Sequence, residues 1–361
     1  MLGLYIHIPF CKKKCFYCDF FSVKYDHSLS QRYIDALCKH AAGYKNQKIN
    51  TAYIGGGTPS ALSGKQIGEL MSAIKINFDL CDLKEFTFEL NPESVSKEKL
   101  DILKNSGVNR LSMGLQSSDD SLLKKLGRIH DFDMFKKAYE LAKNAGFDDL
   151  NIDLIYGLPG QTLKNWEQTL LSAVSFGSGH ISLYPLSVEY ETEFYRQSVK
   201  TDDDTQRNMY ETAVRVLREN GFLHYEISNW AKPGKEAVHN SNYWRSFEYI
   251  ALGAGASGYF NRFRYSNVDN IEKYIEFVSK NLPIENENDF INEELYEAES
   301  IMLGLRLLDE GVSEKCFKSK KNKETLEMML SQGLFIKSKD RIKLSENIVF
   351  VSNSVLSAFM K

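Results

Sequence analysis

Six short strand-like segments, alternating with helical ones, occupy the first half of the chain and restrict it to a parallel α/β sheet. The strand-like runs are LYIHI from residue 4, TAYIGG from 51, EFTFEL from 85, RLSMGL from 110, LNIDLIYG from 150 and HISLYPLSV from 180. Amphipathic stretches such as QRYIDALCKHA from 31, FDMFKKAYELAKNAG from 132 and KNWEQTLLSAV from 164 fall between them. Six such units are two short of a closed eight-stranded barrel, so the expected architecture is an open, partial barrel. Loops at the carboxyl ends of such strands carry the chemistry. Cys11, Gly56, Glu89, Gln116 and Asp153 all fall at or just past those ends.

The pattern changes beyond about residue 200. DDDTQRNMYETAVRVLRENG from 202 reads as a helix, HYEISNWA from 224 as a strand, and the stretch through 270 as a loop rich in Gly, Asn and aromatics. From about 290 the chain reads as helix, helix and an alternating hairpin, GLFIKSKDRIKLSE, an order resembling a winged helix. The expected divisions are therefore 1–200, a partial-barrel core; 201–288, an α/β extension; and 289–361, a winged-helix-like unit. The basic run KSKKNK from 318 is expected to be a solvated loop, because a net charge of −3 provides no global field for nucleic acid. No apolar run approaches the ~18 residues of a membrane span. The first residues lack the basic region and cleavage site of a signal peptide. With free thiols, that points to a reducing cytosol.

CKKKCFYCDF, residues 11–20, places Cys11, Cys15 and Cys18 within eight positions. Six cysteines in 361 residues would produce this spacing by chance roughly 0.002 times, so it reads as a metal clamp. Tetrahedral zinc and cubane iron–sulfur sites want four ligands. Cys38, Cys81 and Cys316 are scattered, with no second C-x-x-C and no H-x3-H pair to complete a zinc site, and read as ordinary small side chains. A cluster with one open iron fits three thiolates better. Lys12, Lys13 and Lys14 either add positive charge beside those thiolates or belong to a solvated loop.

Other motifs supply complementary groups. GGGTPS at 55–60 follows a strand and precedes a helix, where glycine admits close backbone approach and amides can meet polar groups. Glu89 in ELNPES could hold an ammonium, and the Arg128 guanidinium in LGRIH is a natural fork for a carboxylate. Gln116 stands in GLQS, and Asp153 lies inside an apolar strand, where its charge needs a polar partner. Taken singly, each reads equally well as a surface or structural residue. Together they provide what an amino acid joined to a ribose requires.

YIHIPFCKKKCFYCDF, GGGTPS, ELNPE, GLQS, NIDLIYGLPGQT and HNSNYW at 239–244 resemble, in this order, the HemN/HemW group of radical S-adenosylmethionine (SAM) proteins. That group contains oxygen-independent coproporphyrinogen III oxidases and haem chaperones. The resemblance implies a radical SAM partial (β/α)6 barrel with a C-terminal α+β extension and a winged-helix-like end, and a 4Fe-4S cluster on Cys11, Cys15 and Cys18. It implies SAM contacts from Tyr5, Tyr17, Gly56, Gly57, Thr58, Glu89, Gln116, Arg128, Asp153 and Ser187, and from the GAGASG loop at 253–258. It also implies haem contacts from His239, Asn240, Tyr243 and Trp244, since an imidazole can ligate iron and aromatics can cover a macrocycle.

Within the group, the oxidases carry a further cysteine two residues after the third, and an N-terminal extension. Phe20 occupies that position here and only four residues precede Tyr5. The expected function is therefore a haem chaperone serving acceptor haemoproteins such as respiratory cytochromes, with an electron donor for the cluster and a monomeric or haem-dependent dimeric state. The alternative is a radical SAM decarboxylase of porphyrinogen propionates, for which catalytic residues are unassigned. A winged-helix regulator with a decayed cluster site is disfavoured by net charge.

Overall fold

The computed structural model describes residues 1–360. Strands β1 (Gly3–Ile8), β2 (Thr51–Gly56), β3 (Glu85–Leu90), β4 (Arg110–Gln116), β5 (Asp149–Tyr156) and β6 (His180–Pro185) pair in parallel, in chain order. They are the six expected from the sequence. Helices α1 (His27–Ala42), α2 (Gly64–Asn77), α3 (Lys97–Asn105), α4 (Phe132–Asn144) and α5 (Leu163–Ser175) return the chain between them. Their starts are written locally: Ser63 with Gln66 and Thr162 with Asn165 form capping boxes, and the Asp131 carboxylate accepts the Met134 amide. Each such cap contributes about 1 kcal/mol.

Parallel strands covered on both faces usually read as unbroken apolar runs. These alternate instead. In β3, Phe86, Phe88 and Leu90 face outward and Glu85, Thr87 and Glu89 inward; in β4, Leu111, Met113 and Leu115 oppose Ser112, Gly114 and Gln116. The outward set is buried against helix residues such as Ile34, Ile67, Leu103, Phe135 and Trp166. Truncating one of these, for example Phe88→Ala, should cost about 3–5 kcal/mol. The inward set stays polar because aligned registers let it pair across strands: Ser112 lies beside Asn151, and Asn151 beside His180.

The barrel does not close. After α6 (Asp203–Glu219), strands β7 (Leu223–Glu226) and β8 (Asn229–Ala231) add to its β6 side. On the β1 side come β9 (Tyr249–Leu252), β10 (Ser257–Phe260), β11 (Phe263–Asn267) and β12 (Glu285–Phe290), giving a sheet of twelve strands. Three local expectations are corrected. HYEISNWA is a hairpin rather than one strand, because the Glu226 carboxylate accepts the Ser228 amide and the Asn229 side chain and so holds a turn. The stretch expected as loop through 270 contains the helix α7 (Val238–Trp244) and strands β9–β11; its aromatics are packing residues, with the Tyr265 hydroxyl accepting the Ala251 amide at 2.7 Å. The run at 318–323 opens a helix, with Ser319 as its cap.

α8 (Ile271–Lys280) precedes β12, which crosses the expected boundary at 288. Beyond it, α9 (Glu293–Gly304), β13 (Val312–Ser313), α10 (Lys320–Ser331), β14 (Phe335–Ser338) and β15 (Arg341–Leu344) enclose a separate core around Ile301, Leu326, Phe335 and Ile342. The expected helix, helix and hairpin are all there, with β13 completing a three-stranded sheet. No helix among the described residues is long and apolar enough to cross a membrane.

Candidate functional site

The cysteine loop leaves the carboxyl end of β1 through a two-residue strand, Phe10–Cys11, that pairs with Val23–Lys24. The Cys18 amide donates to the Cys15 carbonyl at 3.3 Å, closing the turn between the second and third thiols. The Thr58 hydroxyl donates to Cys11 Sγ at 3.5 Å, and Arg128 Nη1 lies 3.6 Å from Cys15 Sγ. The three lysines do other things: Lys12 and Lys14 donate to the Glu93 and Phe20 carbonyls, each at 3.0 Å, and Lys13 covers the Phe16 ring. Arg128 is thus the cation in contact with a thiol, while the charge of Lys14 bears on Cys18. Burial opposes its charge, but Cys15, Tyr17 and Glu93 outweigh burial and raise its pKa. Burial raises the Cys11 thiol and pushes Cys18 up to about 11. Among the described residues no three His, Cys, Asp or Glu donors converge closely enough for a single metal ion. A cubane, whose ligands sit on separate irons, does not need them to; three thiols on one cavity fit it.

That cavity, of about 400 Å³, opens at the carboxyl ends of the strands and is lined by Cys11, Cys15, Cys18, Tyr17 and Arg128. Gly56, Gly57, Thr58, Glu89, Gln116, Asp153 and Ser187 line it as well. Tyr5 does not; it lies deeper in the barrel, its hydroxyl 2.9 Å from His7 Nδ1. The 253–258 loop also stays outside the lining: a Cβ on Gly253 would meet the His7 carbonyl at 2.7 Å, so the loop backs onto His7.

The glycine motif serves packing. Gly56 has φ +113°, and a Cβ there would stand 2.5 Å from the His7 ring; one on Gly57 would meet the Ile8 carbonyl and Phe10 amide at 3.0 Å. The amides expected to be open to a ligand are engaged: Gly56 donates to the Glu89 carboxylate at 3.2 Å, Gly57 to the Ile8 carbonyl at 2.9 Å and Thr58 to the Phe10 carbonyl at 2.8 Å. Arg128 Nη2 is likewise committed, to Asn91 Oδ1 at 2.9 Å and the Gly114 carbonyl at 3.1 Å.

Two carboxylates reach the cavity with contrasting support. Glu89 accepts from the Tyr53 hydroxyl at 2.6 Å, but burial, aided by the charge of Asp153, pushes its pKa to about 7. Asp153 has the partners its burial demands: Ser112 and Asn151 both donate to it at 2.8 Å. Burial still raises its pKa, and those hydrogen bonds oppose the rise. Gln116 ends β4 at φ +67°, a left-handed conformation costing a non-glycine residue roughly 1–2 kcal/mol, where the register with β5 shifts. Ser187 is exposed, and its hydroxyl donates to Glu189. Tyr53, Asn91, Ser112 and Tyr184 also line the cavity, although the sequence motifs assigned them no role, Asn91 standing unremarked inside ELNPES. Their signal was available in part: Tyr53, Ser112 and Tyr184 occupy the inward, period-two positions of β2, β4 and β6.

His239, Asn240, Tyr243 and Trp244 lie toward the opposite end of the barrel, with His239 beneath Tyr53, which itself lines the cavity. They belong to α7, not to a polar loop. Glu85 at the start of β3 accepts the amides of Val238 and His239, at 2.6 and 3.2 Å, fixing the helix under the strands. His239 is 1% exposed and both ring nitrogens are engaged, Nδ1 with Thr51 Oγ1 at 2.9 Å and Nε2 with the Tyr243 hydroxyl at 2.6 Å. Its ring stacks on Tyr53 at 5.4 Å, and burial lowers its pKa to about 3. Trp244 faces the C-terminal unit, under the Arg306 guanidinium at 4.5 Å. In this conformation the imidazole has no nitrogen free for iron. Ligation through either nitrogen would require breaking its hydrogen bond, to Thr51 or to Tyr243, and opening the buried packing around α7.

An open parallel barrel whose strand ends present three thiols, buried carboxylates and a cation-lined cavity is the core of a radical SAM protein, and residues 5–173 match the family model described as the Radical SAM superfamily. The Heme chaperone HemW of Bacillus subtilis is 37% identical to the chain, covering 100% of it and 99% of that relative. The protein of the same name from Lactococcus lactis is 36% identical, over 99% of this chain and 96% of its own length. The solved structure of coproporphyrinogen III oxidase (HemN) from Escherichia coli superposes with a TM-score of 0.87 over 99% of this chain and 89% of that one, at 20% identity, a likeness of fold. The chain belongs to the HemW-like family of radical SAM proteins.

Proposed function

We propose that this protein is a haem chaperone that carries a 4Fe-4S cluster on Cys11, Cys15 and Cys18, binds SAM in the adjoining cavity, and passes haem to acceptor haemoproteins such as respiratory cytochromes. The observation that carries the reading is the 37% identity, over the whole chain, to a protein named as a haem chaperone. When bound, the cluster supplies an electron and an open iron to SAM. The chain's own residues bind and orient: Glu89 accepts from an ammonium, Asp153 accepts from ribose hydroxyls, and Arg128 lends charge to Cys15 and to a ligand carboxylate. In this reading residues 1–200 are the SAM-binding core, 201–288 the haem-motif extension and 289–361 the C-terminal unit.

Coproporphyrinogen oxidation is the second reading, favoured by the shared fold alone. Phe20, where the oxidases have a further cysteine, is 61% exposed at the cavity rim. One anaerobically reconstituted sample separates the two. The chaperone reading expects a cluster signal altered by SAM, a saturable Soret band near one haem per chain, haem transfer to an apo-cytochrome, and no CO2 from coproporphyrinogen III. Sustained decarboxylation over many turnovers would replace it with the oxidase. Cys11→Ala, Cys15→Ala or Cys18→Ala should each abolish the cluster, and Cys38→Ala should not.

A further inference from the structure

A chain of buried hydrogen bonds runs from the barrel floor to Asp153, and its direction is fixed by donor chemistry. The Asn151 amide nitrogen donates both to Asp153 Oδ1 and to Ser112 Oγ, at 2.8 Å, so its oxygen is the atom facing His180 and Ser182. That oxygen can only accept. His180 Nδ1, 2.7 Å away, must therefore carry the proton, which leaves Nε2 as a bare acceptor. The Tyr225 hydroxyl, 2.9 Å from Nε2, must then donate to it, and the Tyr225 oxygen is free to accept the Ala237 amide at 3.2 Å. Ala237 is the residue that opens α7. His180 and Asn151 are almost wholly buried, so water cannot readily substitute for a missing link.

We propose that His180 and Tyr225 are positioning residues for Asp153, holding its carboxylate charged and oriented toward the SAM cavity from the far end of the barrel. The inference rests on the reading that Asp153 meets SAM. Without the Tyr225 hydroxyl, Nε2 loses its donor and the other imidazole tautomer becomes accessible. That tautomer turns a lone pair toward the Asn151 oxygen. The amide then relieves the clash by rotating, and its oxygen replaces its N–H against Asp153. A carboxylate that loses a donor and gains an acceptor holds its proton to higher pH and no longer keeps its rotamer. Burial already lowers the His180 pKa far below its ordinary value, so the ring is neutral and its tautomer is the variable that matters.

The test uses full-length, cluster-loaded protein and measures SAM affinity by calorimetry from pH 6 to 9 in wild type, Tyr225→Phe, His180→Gln and Asp153→Asn. Tyr225→Phe preserves the ring, and its thermal unfolding is recorded alongside. Losing one buried hydrogen bond predicts a SAM Kd raised roughly fivefold or more. Because the neighbouring Glu89 also titrates, at about 7, the same comparison is made in a Glu89→Gln background, where the pH midpoint of binding should be displaced upward by about half a unit. Nitrogen-15 spectra of cluster-free protein should show His180 as the Nδ1–H tautomer in wild type and a mixture in Tyr225→Phe. If Asp153→Asn weakens SAM but Tyr225→Phe matches wild type in both affinity and pH midpoint, the relay is overturned and the cavity reading stands. If Asp153→Asn binds SAM as wild type does, the cavity reading fails and takes the relay with it. Should His180→Gln fail to fold, Tyr225→Phe and the tautomer spectra still decide.

Discussion

Replacing His239 with Ala, in protein kept free of haem, isolates what this imidazole contributes to the barrel floor. The substitution removes hydrogen bonds of 2.9 Å to Thr51 and 2.6 Å to Tyr243 and a ring stacked on Tyr53. Thr51 keeps Asn242 as a donor at 3.1 Å, so the Tyr243 hydroxyl is the group left without its partner. A buried polar group in that state costs about 1–3 kcal/mol. Removing a large buried side chain adds about 2–5 kcal/mol, and the two overlap because the cavity and the orphaned hydroxyl share one space. The expected loss is about 3–5 kcal/mol, a large share of the roughly 5–15 kcal/mol that holds most domains folded. Urea unfolding followed by circular dichroism measures it. His239→Gln, whose amide can donate to Thr51 and accept from Tyr243, should lose about 1–2 kcal/mol. Haem-free His239→Ala within about 1 kcal/mol of wild type would refute the reasoning and leave the imidazole available as an iron ligand. If the loss is as large as expected, a weakened Soret band in His239→Ala reports a loosened floor as much as a missing ligand.

Acid should destabilise the haem-free protein: burial lowers His239 to about 3 and His40 and His224 to about 4, so below pH 6.5 the unfolded chain binds more protons. The stability they contribute is complete above pH 6.5 and falls by about 1.4 kcal/mol per histidine at pH 5.5; identical urea midpoints at pH 7.5 and 5.5 would contradict this. Because Glu89 titrates at about 7, SAM affinity of cluster-loaded protein should rise as pH climbs from 6 to 8, and Glu89→Gln should flatten that rise while weakening SAM roughly 10- to 150-fold. A pH-dependent profile surviving in Glu89→Gln would assign it to another group. Gly56→Ala, which puts a Cβ 2.5 Å from the His7 ring at φ +113°, should cost about 2 kcal/mol or more in thermal unfolding experiments, and an unperturbed variant would show that the β2 turn relaxes freely.

The sequence by itself determined the six barrel strands, because each carries a period-two pattern and is closed off by a helix with its own cap. It also determined the thiol loop, since spacing within eight residues is a local property. It located most of the cavity, because residues at strand ends converge whenever parallel strands align. Tertiary structure decided the rest. Which amides and cations remain free depends on partners distant in sequence: Arg128 is taken up by Asn91 and Gly114, and Gly57 by Ile8. The aromatic stretch before 270 gave no periodic signal, since its strands β9–β11 are short and its tyrosines pack against residues of other elements, Tyr265 with Tyr5 of β1 and Tyr249 with Tyr243 of α7. Above all, HNSNYW reads as an open polar segment because Asn and Ser favour turns. Only the arrival of Thr51, Tyr53 and Glu85, from strands β2 and β3, makes it a buried helix, and that contact between residues some 150 to 190 positions apart is invisible to any local pattern.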